Sequence, residues 1–275
     1  MLNQLTEYRI QNGKLIASTD IIKFSQPPVY EVIRLLDGVP MFFEGHMERM
    51  TQSLEMIGEN QRVSPMSILE GLNTLVSKTN IKNNNIRIEI GRDEEQQFIW
   101  TLFFVISYYP TAGEYQIGVK TISHQVERIK PHAKIFRSEF TEKINQLKKE
   151  HNAFEVILIN AEGCVTEGSR SNLFFVKDNC VYSAKTKDVL EGITRKKILK
   201  VIEEIGVKNV EMNISYENLA TFDACFLSGT SINILPIASI DDINYASSEH
   251  PLLTQILEAL KSAVKNDIET TRRLL

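Results

Sequence analysis

Thr166-Glu-Gly-Ser-Arg-Ser-Asn172 sets a single carboxylate, Glu167, beside Gly168 and a run of short polar side chains. Such a string suits a tight loop rather than the interior of a helix: Gly168 and its small neighbours permit the turn, and Asn172 braces it. Directly after it, residues 172–176 and 180–184 read as the arms of a hairpin around Lys177-Asp178-Asn179. Leu190-Glu-Gly-Ile-Thr-Arg195 then leads into a helix over 194–205. That helix has Ile198, Val201, Ile202 and Ile205 on one face, Thr194 as cap and Gly206 as stop. The amides of Ile193 and Thr194, ahead of the first helical turn, would point at an anion. A carboxylate-bearing loop, a hairpin and an anion-binding helix end thus follow one another within one stretch of chain.

Upstream, Asn12-Gly13 between short alternating segments predicts a hairpin over 8–16, and Asp37-Gly38 predicts another between 29–36 and 41–43. Together they suggest an antiparallel sheet. Met47, Met50, Leu54 and Ile57 recur at helical spacing over 44–58, with Arg49 on that helix. Ser64-Pro65 opens a second helix, through about residue 78, with Ile68, Leu72, Leu75 and Val76 inward. Strands are expected at 85–91 and 98–108. Pro110-Thr-Ala-Gly-Glu114 is the best linker, so residues 1–110 are expected to form one domain, 111–115 the linker and 116–275 a second domain. In the latter, a strand at 116–124, a helix at 138–152 and a strand at 154–159 precede the opening motif. Short strands near 210–214 and 224–227, a helix from Pro251 to about Val264 and a fraying charged tail follow it.

The chain has 275 residues, 43% hydrophobic and 24% charged, with a formal charge of −4. Two domains, or one large α/β domain, fit that length. Lys and Arg are dispersed, so nucleic-acid binding is not indicated. No apolar run approaches the roughly 20 residues that span a bilayer, and residues 1–9 lack the apolar core of a secretory signal; a cytoplasmic location is expected. Neither the three cysteines nor the five histidines are spaced as metal ligands, so no metal is expected.

Four segments, in order, resemble the fold type IV pyridoxal-phosphate family, the class IV aminotransferases and their relatives: branched-chain aminotransferase, D-amino-acid aminotransferase and aminodeoxychorismate lyase. They are His46-Met-Glu-Arg49, Lys134 ahead of Phe154-Glu155, Thr166 to Asn172, and Leu190 to Arg195; Ser228-Gly-Thr-Ser231 is a fifth. The resemblance implies an α+β, two-domain enzyme with a smaller N-terminal α/β sandwich and a larger C-terminal domain around a β-barrel-like sheet. It implies pyridoxal 5'-phosphate as cofactor and a homodimer.

By the same resemblance, Lys134 forms the Schiff base and is the catalytic amine, with Lys130 and Lys143 as local rivals. Glu167 contacts the pyridine nitrogen and keeps it protonated. Arg49, Ile193, Thr194 and Thr230 hold the phosphate, Leu190 packs on the ring, and Tyr30 helps bind the substrate carboxylate. Amino acid and keto acid are then the substrates of a ping-pong transamination. Departures from the family pattern concern the pocket. Ser25-Gln-Pro-Pro28 replaces a Gly-Asp-Gly before Tyr30, and Lys134-Ile-Phe-Arg137 replaces a Lys-x-x-Asn. Arg92 lacks the following histidine of an Arg-x-His pair, which argues against the D-amino-acid enzyme. Branched-chain transamination is the leading expectation, elimination of the aminodeoxychorismate lyase type the rival, and a non-catalytic cofactor-binding paralogue the alternative of another class.

Overall fold

The computed structural model describes residues 4–19, 23–126 and 132–273. Two compact units emerge: Met1–Tyr108 with Ala133–Arg137 and Val264–Leu275, and Tyr109–His132 with Ser138–Ala263. Lys130 lies outside the described residues.

In the first unit, β1 (Tyr8–Gln11) and β2 (Lys14–Ala17) form the expected hairpin, with Asn12 and Gly13 at φ 46° and 80°. β3 (Val29–Leu36) turns through Asp37-Gly38 into a β4 of only two residues (Val39–Pro40). The strand expected at 41–43 is absent because Phe42, at φ 53°, swings the chain directly into α1 (Phe43–Met56). α2 (Pro65–Thr79) starts where Ser64-Pro65 indicates, the Ser64 hydroxyl accepting the Ser67 N–H. β5 (Asn85–Arg92) and β6 (Phe98–Val105) complete a six-stranded antiparallel sheet in the order β2-β1-β6-β5-β3-β4.

Strand β3 alternates buried and half-buried residues. Val29, Ile33 and Leu35 pack with Met47, Met50 and Leu54 of α1 and Ile68, Leu72 and Leu75 of α2. Glu31 shares their register, so a carboxylate stands on the helix-facing side of the sheet. That placement builds the site in this unit.

The second unit begins with α3 (Ala112–Ile117), where Thr111 and Glu114 form a capping box in the stretch read as a linker. β7 (Val119–Gln125), α4 (Ser138–Glu150), β8 (Glu155–Ile159) and β9 (Cys164–Gly168) follow. β10 (Asn172–Lys177) and β11 (Cys180–Ser183) make the expected hairpin, turning at Asp178 and Asn179 with positive φ. Then come α5 (Ile193–Glu204), β12 (Asn209–Glu211), β13 (Ile214–Ser215), β14 (Ala224–Gly229), β15 (Asn233–Ile240) and β16 (Ile243–Asn244). Among the described residues these strands form one mixed sheet, β12-β11-β10-β14-β15-β7-β8-β9-β13, with β16 beside β15. Its core includes Leu173, Phe175, Leu227, Leu235 and Ile237. The whole is an α+β, two-domain fold.

Two expectations are corrected here. Gly192, not Thr194, is the N-cap of α5. The closing helix α6 (Pro251–Arg272) does not fray after residue 264: it continues to Arg272, and Asp267 accepts the Phe42 N–H at 2.6 Å. None of the described helices is long and apolar enough to cross a membrane.

Candidate active site

Lys134 belongs to the first unit, in a short segment paired with the start of β3. Its carbonyl accepts the Tyr30 N–H at 3.0 Å, its own N–H donates to Ser53 Oγ of α1 at 3.3 Å, and Ile135 bridges to Val29. The side chain is 15% exposed, with Nζ 3.9 Å from Glu31 Oε2 and 5.4 Å from the centre of the Tyr30 ring. Its rival Lys143 sits exposed on α4.

Glu31 is fully buried. Arg49 Nε and Nη2 donate to its two oxygens, each at 2.7 Å, and His46 Nδ1 lies 2.7 Å from Oε2. Burial opposes ionisation of this carboxyl, yet Arg49 first, then Lys134 and His46, hold it well below the usual carboxylate range. Burial in turn lowers the His46 imidazole below its ordinary 6.5, against the pull of Glu31. A neutral His46 therefore donates through Nδ1, and its buried Nε2 has no hydrogen-bond partner among the described residues.

The Tyr30 ring lies 4.1 Å beneath the Arg87 guanidinium and meets Phe136 edge-on at 6.2 Å. Arg87 in turn donates from Nε to Glu89 at 2.8 Å, and both are buried. Arg92, by contrast, is held bidentately by Glu59 at 2.7 and 3.0 Å.

In the second unit the opening motif spans the end of β9, a turn and the start of β10. Glu167 is 2% exposed, and its Oε2 accepts Asn172 Nδ2 at 3.2 Å and the Leu190 N–H at 3.1 Å. Asn172 also donates to the Leu190 carbonyl at 2.8 Å, so it ties the carboxylate to the chain leading into α5. The approach is close: a Cβ on Gly192 would stand 2.0 Å from Asn172 Oδ1, and one on Gly168 would stand 2.2 Å from Ser171 Oγ. Behind the turn, buried Glu155 accepts the Ser171 hydroxyl at 3.0 Å and the Arg170 N–H at 3.2 Å.

The amides of Ile193 and Thr194 open α5 and have no acceptor within the helix. Both residues are buried, at 4% and 2% exposure. Thr230 is half-buried just past the end of β14, whose buried Ser228 hydroxyl has no hydrogen-bond partner among the described residues. The structure thus gathers Tyr30, Arg49 and Lys134 around Glu31 in one unit. It ties Glu167 to Leu190 in the other, where Ile193 and Thr194 follow at the start of α5.

Glu31 was not singled out in the sequence, and His46 and Glu155 were named only as ends of motif segments, without a role. One signal existed: Glu31 interrupts an apolar alternation of Val29, Ile33 and Leu35, and a carboxylate in such a place demands a buried partner.

The first unit thus holds a lysine amine beside a buried carboxylate, and the second a helix N-terminus tied to a carboxylate-bearing turn. The family model "Amino-transferase class IV" matches residues 28–240, and the chain belongs to that family. It is 28% identical over 254 residues to D-alanine aminotransferase of Bacillus licheniformis, covering 88% of this chain and 89% of the relative. Aminodeoxychorismate lyase of Bacillus subtilis (strain 168) is 26% identical, with 87% and 86% covered. In fold it is similar to a T.th. branched-chain amino acid aminotransferase solved with pyridoxamine 5'-phosphate (TM-score 0.83, 20% identity, 97% and 96% covered).

Proposed function

We propose that the protein is a pyridoxal-phosphate-dependent aminotransferase that moves an amino group between an amino acid, a branched-chain donor first, and a 2-keto acid. The observation that carries this reading is the Lys134 amine, 3.9 Å from a fully buried carboxylate and inside the family-matched residues.

The residues fit the cofactor. Helix α5 opens with two amides lacking intrahelical acceptors, behind a glycine that no larger residue could replace without striking Asn172. Such a helix end suits a phosphate. Glu167 is a buried carboxylate fixed by two N–H donors, the group needed to keep a pyridine nitrogen protonated. In this reading Ile193, Thr194, Thr230 and Arg49 hold the phosphate and Leu190 packs on the ring. Bound pyridoxal phosphate supplies an electrophilic carbon for amines and a ring that accepts electron density from the substrate's Cα.

Lys134 would hold the cofactor through Nζ and, once that amine is free, would take up and return the proton of the substrate's Cα. Glu167 would accept the hydrogen bond of the protonated ring nitrogen. Tyr30, fixed under Arg87, helps orient the substrate carboxylate. A homodimer in the cytoplasm completes the proposal.

Arg92 bears on the choice of donor. Its guanidinium is engaged by Glu59 and no histidine follows two residues later, which disfavours the D-amino-acid reaction despite the Bacillus licheniformis relative. The lyase reading rests on the Bacillus subtilis relative and is separated by product: pyruvate formed without a keto-acid acceptor.

The test is the visible spectrum of purified protein, wild type beside Lys134→Ala, with glutamate and then leucine added. A wild-type band that borohydride fixes to the protein, that leucine shifts and that the variant lacks is the expected result. No band after reconstitution would sink the reading. A band that no amino acid shifts would identify the non-catalytic paralogue instead.

A further inference from the structure

Glu31 has no part in the chemistry proposed above, yet it links the groups that do. Its Oε2 receives Arg49 Nη2 and lies 2.7 Å from His46 Nδ1, and the same atom is 3.9 Å from Lys134 Nζ. The main chain makes the same connection one residue earlier, where the Tyr30 N–H binds the Lys134 carbonyl. Strand β3 therefore fixes Lys134 twice, Tyr30 at its backbone and Glu31 at its tip.

We propose that Glu31 is the positioning residue of Lys134: it holds Nζ beside the Tyr30 ring and sets how readily that amine takes up and releases a proton. This rests on the reading of Lys134 as the reacting amine. A carboxylate at this distance in a buried setting favours the ammonium form of its neighbour. Arg49 offsets part of that field by binding both carboxylate oxygens, so the amine faces a moderated anion rather than a bare one. Among the described residues this cluster also meets His46 from α1, whose burial lowers its pKa, and Arg87 from β5, which covers Tyr30 and is paired with Glu89. A proton taken by Lys134 would thus be held beside Glu31 until it is returned.

The experiment is competitive acetylation across pH of the full-length chain, freed of cofactor with hydroxylamine and followed at the Lys134 peptide by mass spectrometry. It reads the midpoint of the amine without calling on catalysis. Glu31→Gln is expected to move that midpoint down by about one pH unit, and Arg49→Gln, which unmasks the carboxylate, to move it up. Loosened packing alone would move both variants the same way, toward an exposed lysine. Shifts in the same direction, or none, overturn the proposal. If circular dichroism finds Glu31→Gln unfolded, Glu31→Asp replaces it: a carboxylate one methylene shorter draws back from Nζ and lowers the midpoint, and an unmoved midpoint overturns the idea. The spectral test fails independently, since opposite shifts without a cofactor band would sink the function reading and leave the coupling of Glu31 to Lys134 standing.

Discussion

Glu31 and Arg49 meet through two 2.7 Å bonds, Nε to Oε1 and Nη2 to Oε2, with side chains 0% and 5% exposed. Removing one member of such a pair leaves the other charge buried and uncompensated, whereas removing both removes the problem. Arg49→Met is expected to destabilise the protein by about 3 kcal/mol in urea unfolding. The double variant Glu31→Leu, Arg49→Met should recover more than half of that loss. Additive losses would show that the pair is not coupled.

His46 sets an acid limit. Its folded-state pKa lies below its ordinary 6.5, so the unfolded chain binds the extra proton first. The contribution of neutral His46 is therefore present above about pH 6.5 and is lost as pH falls through the folded-state value. His124 shifts in the same direction, chiefly through burial, so wild type alone does not isolate the effect. Urea midpoints from pH 8 to 5 should fall less steeply in His46→Gln than in wild type. Parallel curves would count against it.

Gly192 leaves no room for a side chain, since a Cβ would lie 2.0 Å from Asn172 Oδ1. Gly192→Ala is expected to cost about 1 to 3 kcal/mol of stability through overpacking. On the proposed function it also displaces Asn172 from Glu167 and weakens pyridoxal phosphate binding at least tenfold by equilibrium dialysis. Wild-type affinity in the variant would separate the α5 entrance from the phosphate site.

Asp267→Ala tests the end of the closing helix. It removes the carboxylate that accepts the Phe42 N–H where the chain enters α1, and Phe42 is only 2% exposed. A hydrogen bond to a charged group is worth about 1.5 to 3 kcal/mol, and a loss of that order in thermal unfolding is expected. An unchanged melting temperature would make the contact dispensable.

Local signals in the sequence carried the parts of the fold that local physics decides. Asn12-Gly13 and Asp37-Gly38 turn where positive φ is tolerated, and Ser64-Pro65 begins α2. Ile198, Val201 and Ile202 mark the buried face of α5. What escaped reading depends on residues distant in the chain. β15 carries Pro236, which demotes a strand by local rules, but it pairs with β14 and β7 on either side. Thr194 has the better capping side chain, yet Gly192 takes the position because Asn172 occupies the space beside it. The site divides the same way. The turn around Glu167 could be recognised as a string, while the bonds from Glu31 to His46 and Arg49 join a strand to a helix and leave only a misplaced carboxylate in the sequence.

The first unit draws on three separate stretches, the last of them Val264–Leu275. Chains emerge from the ribosome N-terminus first, and domains generally fold as they become complete. This unit joins early stretches to late ones: it waits for the segment bearing Lys134 and then for Asp267, synthesised 225 residues after its partner Phe42. Nascent chains whose residues 1–263 have emerged and whose residues 264–272 have not should thus hold a finished second unit and a first unit that still lacks the Asp267 carboxylate at the Phe42 N–H.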